Sequence, residues 1–335
     1  MIKYILTFVF VLLSVVSTHS IRSHHHHKVG RKQSHQQLNE RPVVAILTCE
    51  FDIMNTGIPV ESMPSTYTNY LEHAGARAVP VSFKASKEDI YKVLDKVNGV
   101  LFTGGDIMQF NKTTKEFHQY YRATEMILDY VIQKNIQGDY FPLFAICQGF
   151  QSLHLAISNN PYIMSDSFRW GHNDTFKPMI AYENSRFLSN QQEDLYDIYS
   201  GSEVEFNWHQ FGITLDTYQR SPNLSFFFKV ISFDTVPGSE PIVATVEAYD
   251  YPIYATQYHP EKNKFDFLHS SIPHGKRAQQ FAEDLIFFFV EECRKNSHQF
   301  DSYAEEVALH MSNHRRYFGF MEHGGDNVFI DYYVF

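Results

Sequence analysis

The segment from Phe141 to Phe150 constrains this chain most, because an apolar run ends in a cysteine and a helical pattern follows at once. The run reads FPLFAI, Cys147 comes next, and Gly149 stands two positions later. This pattern is typical of a nucleophile elbow, in which a buried strand turns sharply into a helix and the residue at the turn stands over the edge of the sheet. The helix N-terminus lowers the pKa of a thiol placed there. The segment therefore predicts a cysteine nucleophile, and a buried, inert strand-end cysteine is the alternative.

A second constellation lies far downstream, where the apolar run YATQY ends in His259-Pro260-Glu261. Histidine can take a thiol proton and return it to a leaving amine, and a glutamate two residues on can fix the imidazole tautomer. The intervening proline restricts the backbone between the two side chains. His-x-Glu alone is a weak signal. Together with the cysteine elbow it predicts a triad of Cys147, His259 and Glu261.

A third apolar run, from Asn98 to Phe102, ends near the paired glycines Gly104 and Gly105. Small residues at a strand end let backbone N–H groups approach a ligand closely. We expect the Gly105 and Gln148 N–H groups to stabilise the oxyanion of a tetrahedral intermediate. A tight turn without a catalytic role is the alternative for the glycine pair.

A cysteine elbow, a His-Pro-Glu strand end and a Gly-Gly loop, in this arrangement, resemble the class I glutamine amidotransferase superfamily. Within it the chain is similar to the gamma-glutamyl hydrolases, also called folylpolyglutamate hydrolases. The resemblance covers roughly residues 41 to 300 and is carried by residues 70–81, 98–105, 138–142, 147–150 and 251–262. It implies cysteine-dependent hydrolysis of gamma-glutamyl bonds in folate poly-gamma-glutamates, with no cofactor and no metal.

Carried over by position, the resemblance makes Cys147 the nucleophile, His259 the catalytic histidine and Glu261 the third member of the triad. It also places His209 near the active site, with a structural histidine as the alternative. The chain departs from the family pattern at two positions. Ala145 stands where the family usually has glycine, and Gln151 stands where it often has glutamate.

The carboxylates of a polyglutamate must be met by cations or N–H donors. We expect four side chains to serve this role: Arg169, His172, His209 and Lys262. Aromatic side chains of residues 160–215, Trp208 among them, are candidates for stacking on a pterin, although each is as readily explained by packing. Two other functions stay open: hydrolysis of other gamma-glutamyl amides, and a glutaminase subunit of an amidotransferase. The second rival works inside cells, which the N-terminal sequence disfavours.

The N-terminus predicts entry into the secretory pathway. Residues 1–20 have a positive start, an apolar run and small residues before a cleavage site, as in a signal peptide. Residues 21–40 are polar and rich in histidine, which predicts a flexible leader or pro-segment. In that context three sequons become candidate glycosylation sites, at Asn111, Asn173 and Asn223. We expect a secreted, lysosomal or vacuolar protein without stable membrane insertion.

Beyond residue 41 the pattern alternates strands and helices, which predicts an α/β fold with a mostly parallel twisted sheet and helices on both faces. Predicted helices include Ser86–Val97, with a capping box, Lys115–Gln137 and Lys276–Cys293. Residues 160–240 lack this pattern, and we expect a few antiparallel strands there. We assign residues 41–296 to one catalytic domain and residues 297–335 to an aromatic tail that packs on the domain or supports a homodimer.

Composition restricts the partners and the redox chemistry. The formal net charge of −10 argues against nucleic acid. With three cysteines the chain is not a disulfide scaffold. If Cys147 stays free, Cys49 and Cys293 remain, and we expect two buried thiols, with a bond between them open but not favoured.

Overall fold

The structure is a computed structural model that describes residues 38–53, 56–177, 179, 185–189, 199–235, 240–267, 269–323 and 326–335. For residues 166–171, 188–189, 319–323 and 326–330 it describes the backbone alone. The predicted signal peptide and nearly all of the predicted leader lie outside this part of the chain. In the described part, no helix is both long enough and apolar enough to span a membrane.

The strands and helices alternate through the first half of the chain. The strands are β1 (Val43–Leu47), β2 (Cys49–Phe51), β3 (Val60–Pro64), β4 (Arg77–Val81), β5 (Gly99–Phe102), β6 (Phe110–Asn111), β7 (Glu116–Phe117), β8 (Leu143–Ile146), β9 (Ser165–Thr175), β10 (Glu203–Gly212), β11 (Phe228–Asp234), β12 (Ile242–Ala248), β13 (Ile253–Thr256), β14 (Arg316–His323) and β15 (Asp326–Val334). The helices are α1 (Ser65–His73), α2 (Lys87–Leu94), α3 (Gln119–Ile136), α4 (Gln148–Ser158), α5 (Arg186–Ser189), α6 (Leu215–Arg220), α7 (Pro222–Phe227), α8 (Lys262–Phe265), α9 (Lys276–Cys293), α10 (Tyr303–Leu309) and a short 3-10 helix (Met311–Asn313).

A seven-stranded sheet in the order β11-β12-β13-β8-β5-β1-β4 forms the centre of the fold. The pairs from β13 to β4 are parallel, whereas β11 and β12 join antiparallel at one edge. Side chains of β1 alternate between two buried clusters, one on each face of the sheet. The strands are apolar at nearly every position because both faces are covered. The predicted α/β class with a mostly parallel sheet is confirmed.

The register of the central strands brings the predicted site elements together. Ile146 of β8 lies opposite Thr256 of β13, and Ala145 lies opposite Phe102 of β5. Parallel strands end at the same edge of a sheet, so the segments that follow these residues meet there. Those segments carry Cys147, the His-Pro-Glu sequence and the glycine pair.

The helices largely follow the sequence pattern, with one shifted start. The Ser86 side chain accepts the Asp89 N–H at 3.2 Å, as a capping box requires, although α2 ends at Leu94 rather than Val97. Helix α9 has the predicted bounds. The prediction that a helix begins at Lys115 is wrong, because residues 110–117 form the β6–β7 hairpin. The chain turns helical only at Gln119, where His118 caps the helix by accepting the Tyr120 N–H.

Two more sheets, besides the β6–β7 hairpin, lie outside the central sheet. Strands β9 and β10 pair antiparallel and irregularly, with several register shifts. The C-terminal residues form the β14–β15 hairpin, and β15 pairs with β3 to give a four-stranded sheet in the order β14-β15-β3-β2.

Cys49, Cys147 and Cys293 are all free and buried. The disulfide left open for Cys49 and Cys293 is therefore not formed.

Candidate active site

Cys147 lies at a sharp turn between strand β8 and helix α4. Its backbone has φ 53° and ψ −105°, a left-handed conformation that non-glycine residues rarely adopt. The Cys147 N–H donates to the Thr256 carbonyl at 2.8 Å, which ties the turn to strand β13. A Cβ at Gly149 would lie 2.6 Å from the Phe102 Cβ, so only glycine lets α4 pack this closely on β5. The geometry is that of a nucleophile elbow.

His259 and Glu261 lie beside this turn, where the chain leaves strand β13. His259 Nδ1 lies 2.7 Å from Glu261 Oε1, and both side chains are buried, His259 6% and Glu261 0% exposed. A carboxylate only accepts hydrogen bonds, so Nδ1 is the protonated nitrogen and Nε2 is left for another partner. The His259 side chain also hydrogen-bonds the Cys147 side chain. The structure thus brings the three predicted triad residues into one chain of contacts.

The proton affinity of His259 is set by these two neighbours. Burial alone would lower its pKa, because it disfavours the charged ring. The charges of Cys147 and Glu261, together with their hydrogen bonds, outweigh burial and raise the pKa of His259 to about 10. The imidazole therefore holds a proton at neutral and acidic pH. A group of this kind can donate a proton to a leaving amine.

The glycine pair after β5 lies against the same residues. A Cβ at Gly104 would lie 2.8 Å from the His259 Cε1 and 3.3 Å from the Cys147 Cβ, and a Cβ at Gly105 would collide with the Cys49 Sγ and Gln148 Oε1. Across the described chain, the Gly105 and Gln148 N–H groups donate to neither backbone nor side-chain acceptors. Both amides are therefore available to an oxyanion beside Cys147.

Tyr67 of α1 belongs to this site, although it is not among the residues predicted from the sequence. Its hydroxyl accepts the Gly104 N–H at 2.8 Å. Burial raises the pKa of Tyr67 well above its usual range, and the charges of Glu261 and Cys147 raise it further. The hydroxyl therefore stays protonated and links the glycine loop to the triad. No local signal marks Tyr67, because its contact with Gly104 spans 37 residues of chain.

The residues predicted to bind substrate carboxylates are placed very differently. His209 is buried in β10, with its Nε2 3.0 Å from Asn207 Oδ1, and the neighbouring Trp208 carbonyl oxygen lies 3.8 Å from the Cys147 Sγ. Lys262 is buried and paired with Asp266 at 2.6 Å. His172 is exposed on β9. The side chain of Arg169 lies outside the described residues.

Gln151, where the family often has glutamate, lies one helical turn after Cys147. Its Nε2 donates to the Phe211 carbonyl at 2.8 Å and approaches Gln257 Oε1 at 3.5 Å. A carboxylate could not donate either hydrogen bond, so the amide suits these partners.

Among the described residues, no group of three or more His, Cys, Asp or Glu side chains is arranged to hold a metal ion.

Comparison with known proteins identifies one matching family model and several similar proteins. Residues 42–261 match the Peptidase C26 family model. The chain is 31% identical to a probable gamma-glutamyl hydrolase 3 from Arabidopsis thaliana, over 88% of this chain and 84% of the relative. It is 30% identical to the gamma-glutamyl hydrolase of Homo sapiens, over 81% of this chain and 84% of the relative. A solved glutamine amido transferase from Methylobacillus flagellatus aligns with a TM-score of 0.45 and 12% identity, over 78% of this chain and 98% of that chain.

Proposed function

The chain belongs to the Peptidase C26 family, and we propose that it hydrolyses gamma-glutamyl bonds in folate poly-gamma-glutamates through a cysteine nucleophile. Relatives named gamma-glutamyl hydrolase match it over most of its length, so it is a hydrolase that acts on gamma-glutamyl bonds. The nucleophile and the folate substrate are the proposed parts.

The proposed reaction proceeds in two steps. With its proton held on His259, the Cys147 sulfur attacks the gamma-carbonyl, and the Gly105 and Gln148 N–H groups hold the oxyanion of the tetrahedral intermediate. His259 donates a proton to the departing glutamate amine, which leaves a thioester on Cys147. His259 then takes a proton from water, and the water oxygen attacks the thioester carbonyl. The C–S bond breaks, which releases the gamma-carboxylate and returns Cys147 to the free thiol. Glu261 holds the imidazole in the required tautomer throughout.

The observation that carries the proposal is the buried contact chain from Cys147 through His259 to Glu261. A strand-end cysteine with only a packing role would need no histidine partner. Here the thiol, the imidazole and the carboxylate are all buried, and the charges of Cys147 and Glu261 raise the pKa of His259 to about 10. Burial of three such groups costs stability unless they are paired, so the arrangement favours a chemical role.

We also propose that the protein follows the secretory route, secreted or retained in a lysosome or vacuole, with Asn111 as its preferred glycosylation site. Asn111 is exposed on the β6–β7 hairpin, and its Oδ1 accepts the Thr113 and Thr114 N–H groups, which leaves Nδ2 for modification. Asn223 is exposed but donates to the Ser158 carbonyl. Asn173 is half-buried and donates to Glu203. A homodimer stays a prediction.

Hydrolysis of pteroylpentaglutamate tests the function directly. The purified mature protein is compared with Cys147→Ala at pH 5 and pH 7, and the products are separated by chromatography. Cys293→Ala is the matched control, because Cys293 is also a free and buried thiol but lies in α9. We expect shortened folates from the wild type and from Cys293→Ala, and none from Cys147→Ala. Turnover by Cys147→Ala, or no turnover by the folded wild type, would contradict the proposal.

A further inference from the structure

The side chain of Gln148, the first residue of α4, is buried and has no part in the mechanism above, which uses the backbone N–H of this residue. Its Nε2 donates to the Ile107 carbonyl at 2.7 Å. Its Oε1 accepts from the Cys49 thiol at 3.5 Å. The opposite orientation of the amide would place Oε1 against the Ile107 carbonyl, and two acceptors cannot bond each other. These partners therefore fix the orientation of the Gln148 amide.

The Ile107 carbonyl belongs to the loop that carries the second oxyanion donor, the Gly105 N–H. The Gln148 side chain also packs directly on this glycine, because a Cβ at Gly105 would lie 2.3 Å from the Gln148 Oε1. The Gln148 side chain thus supports the loop at two neighbouring points. One is a close contact at Gly105, and the other is a hydrogen bond two residues later.

Other elements hold the two ends of the same loop. At its start the Thr103 carbonyl accepts the Gly149 N–H at 3.0 Å. At its end the Gln109 carbonyl accepts the His118 N–H at 2.9 Å. These bonds do not involve the Gln148 side chain. Its loss should therefore displace the middle of the loop and leave the ends in place.

The middle of the loop is where a displacement would affect the reaction. An oxyanion hole stabilises the intermediate because its donors already stand in position when the charge develops. Here one donor is the Gln148 N–H, and the other belongs to Gly105. Since the Gln148 side chain ties the loop to the residue that supplies the first donor, a single residue governs the spacing of the two donors.

We infer that the Gln148 side chain is a positioning residue for hydrolysis: it holds the Gly105 N–H at the distance from the Gln148 N–H that the oxyanion requires. The inference rests on the proposed function and deepens it by naming the side chain that sets the geometry of the oxyanion hole.

Two substitutions remove the side-chain donor and keep the backbone N–H. Gln148→Met keeps the length and bulk of the side chain, whereas Gln148→Leu changes its shape. On pteroylpentaglutamate we expect both variants to lower kcat about tenfold with KM within about twofold of wild type, as for loss of one hydrogen bond. Asn135→Leu is the matched control, because the Asn135 Nδ2 in α3 donates to the Phe141 carbonyl at 2.8 Å. It should keep kcat within about twofold of wild type.

Alkylation of Cys147 by iodoacetamide separates oxyanion geometry from damage to the nucleophile. Alkylation forms no oxyanion, so we expect both Gln148 variants to react at Cys147 within about twofold of the wild-type rate. A wild-type kcat in Gln148→Met would show that only the bulk of the side chain matters and would overturn the inference. A fall in the alkylation rate that matches the fall in kcat would also overturn it.

Thermal unfolding shows whether each variant is folded. If Gln148→Met does not fold, the kcat and alkylation rate of Gln148→Leu decide by the same criteria. Failure of both variants to fold would assign the side chain a structural role and overturn the inference. Failure of the folded wild type to cleave pteroylpentaglutamate would instead remove the proposed function.

Discussion

Two histidines, His259 and His154, are both buried in this protein, yet the pKa of one is raised and the pKa of the other is lowered. His259 lies between Cys147 and Glu261, whose charges overcome burial and raise the pKa of His259 to about 10. His154 lies in α4 between the rings of Phe150 and Phe228, and burial lowers the pKa of His154 to about 4. Burial alone therefore does not make a group inert or reactive; the charged partner decides.

The two histidines give the free energy of unfolding opposite dependences on pH. The proton on His259 stabilises the folded state fully below the usual histidine pKa of about 6.5, and this contribution is lost as pH rises through about 10. His154 resists protonation when folded and accepts it near pH 6.5 when unfolded. Stability from His154 is therefore lost as pH falls from about 6.5 to about 4.

Cys147 and Cys49 differ in the same way as the two histidines. Cys147 has a histidine partner, whereas Cys49, on the other side of the glycine loop, meets Gln148 Oε1 at 3.5 Å. Burial raises the pKa of Cys49 well above its usual range. Cys49 therefore stays a neutral thiol that fills space beside Gly105.

Substitution of the partnered histidine should have the largest effect. We expect His259→Gln to lower kcat/KM about 10³-fold, near 4 kcal/mol, because the general acid and base is lost. Steady-state kinetics on pteroylpentaglutamate measure the change. His154→Gln is the matched control for removal of a buried imidazole, and it should keep kcat within about threefold. Similar losses of kcat/KM in His259→Gln and His154→Gln would contradict the distinction drawn between the two histidines.

Acid unfolding probes His154, the buried histidine without a charged partner. Between pH 7 and pH 4 we expect His154 to remove about 3 kcal/mol from the free energy of unfolding, from a pKa lowered by about 2.5. His154→Phe cannot bind a proton and should flatten this slope in urea unfolding curves. His310→Phe, at an unrelated position, should keep the wild-type slope. Equal slopes for wild type and His154→Phe would refute the assignment.

Removing the charge of Glu261 should move His259 toward the behaviour of His154. Glu261→Gln keeps the shape and takes away one of the two charges that raise the pKa of His259. We expect kcat to fall about 10²-fold, near 2.7 kcal/mol, and the pKa of His259 to drop, read from the pH profile of kcat/KM. Asp266→Asn, which alters the ion pair of Lys262, is the comparison for a nearby buried carboxylate. An unchanged pH profile in Glu261→Gln would mean that this carboxylate does not tune the imidazole.

Truncation of Cys49, the cysteine without a histidine partner, should have the smallest effect. We expect Cys49→Ala to cost about 1 kcal/mol of stability through lost packing and to keep kcat within about twofold. Urea unfolding and steady-state kinetics measure the two quantities. A loss of activity without a loss of stability would give Cys49 a role that its neutral, buried state does not support.

The central sheet and the meeting of Cys147, His259 and Glu261 could be predicted from the sequence, because both depend on local patterns at strand ends. Cys147, His259 and Glu261 stand directly after strands whose parallel pairing is a general rule, so their meeting could be inferred. Contacts between distant segments could not be inferred from the sequence. The Tyr67 hydroxyl meets Gly104, and the Trp208 ring meets His269, through folding of separate elements.

The bounds and pairing of two further parts of the fold could not be derived from the sequence. The C-terminal strand β15 mixes charged and aromatic residues without a clear period, and it pairs with β3, which lies more than 250 residues earlier in the chain. Antiparallel strands are expected between residues 160 and 240, and β9 and β10 confirm this. Their register shifts hide the alternation that would have located each strand. The pairing of Lys262 with Asp266 likewise became visible only in the structure.

Alkylation of the native protein by iodoacetamide, read by peptide mass spectrometry against residual activity, tests the central claim most directly. We expect Cys147 to be modified first, with activity lost in proportion, while Cys49 and Cys293 react only after unfolding. In His259→Gln the modification of Cys147 should slow. Modification of Cys147 without loss of activity, or a native protein in which Cys49 reacts and Cys147 does not, would contradict the account.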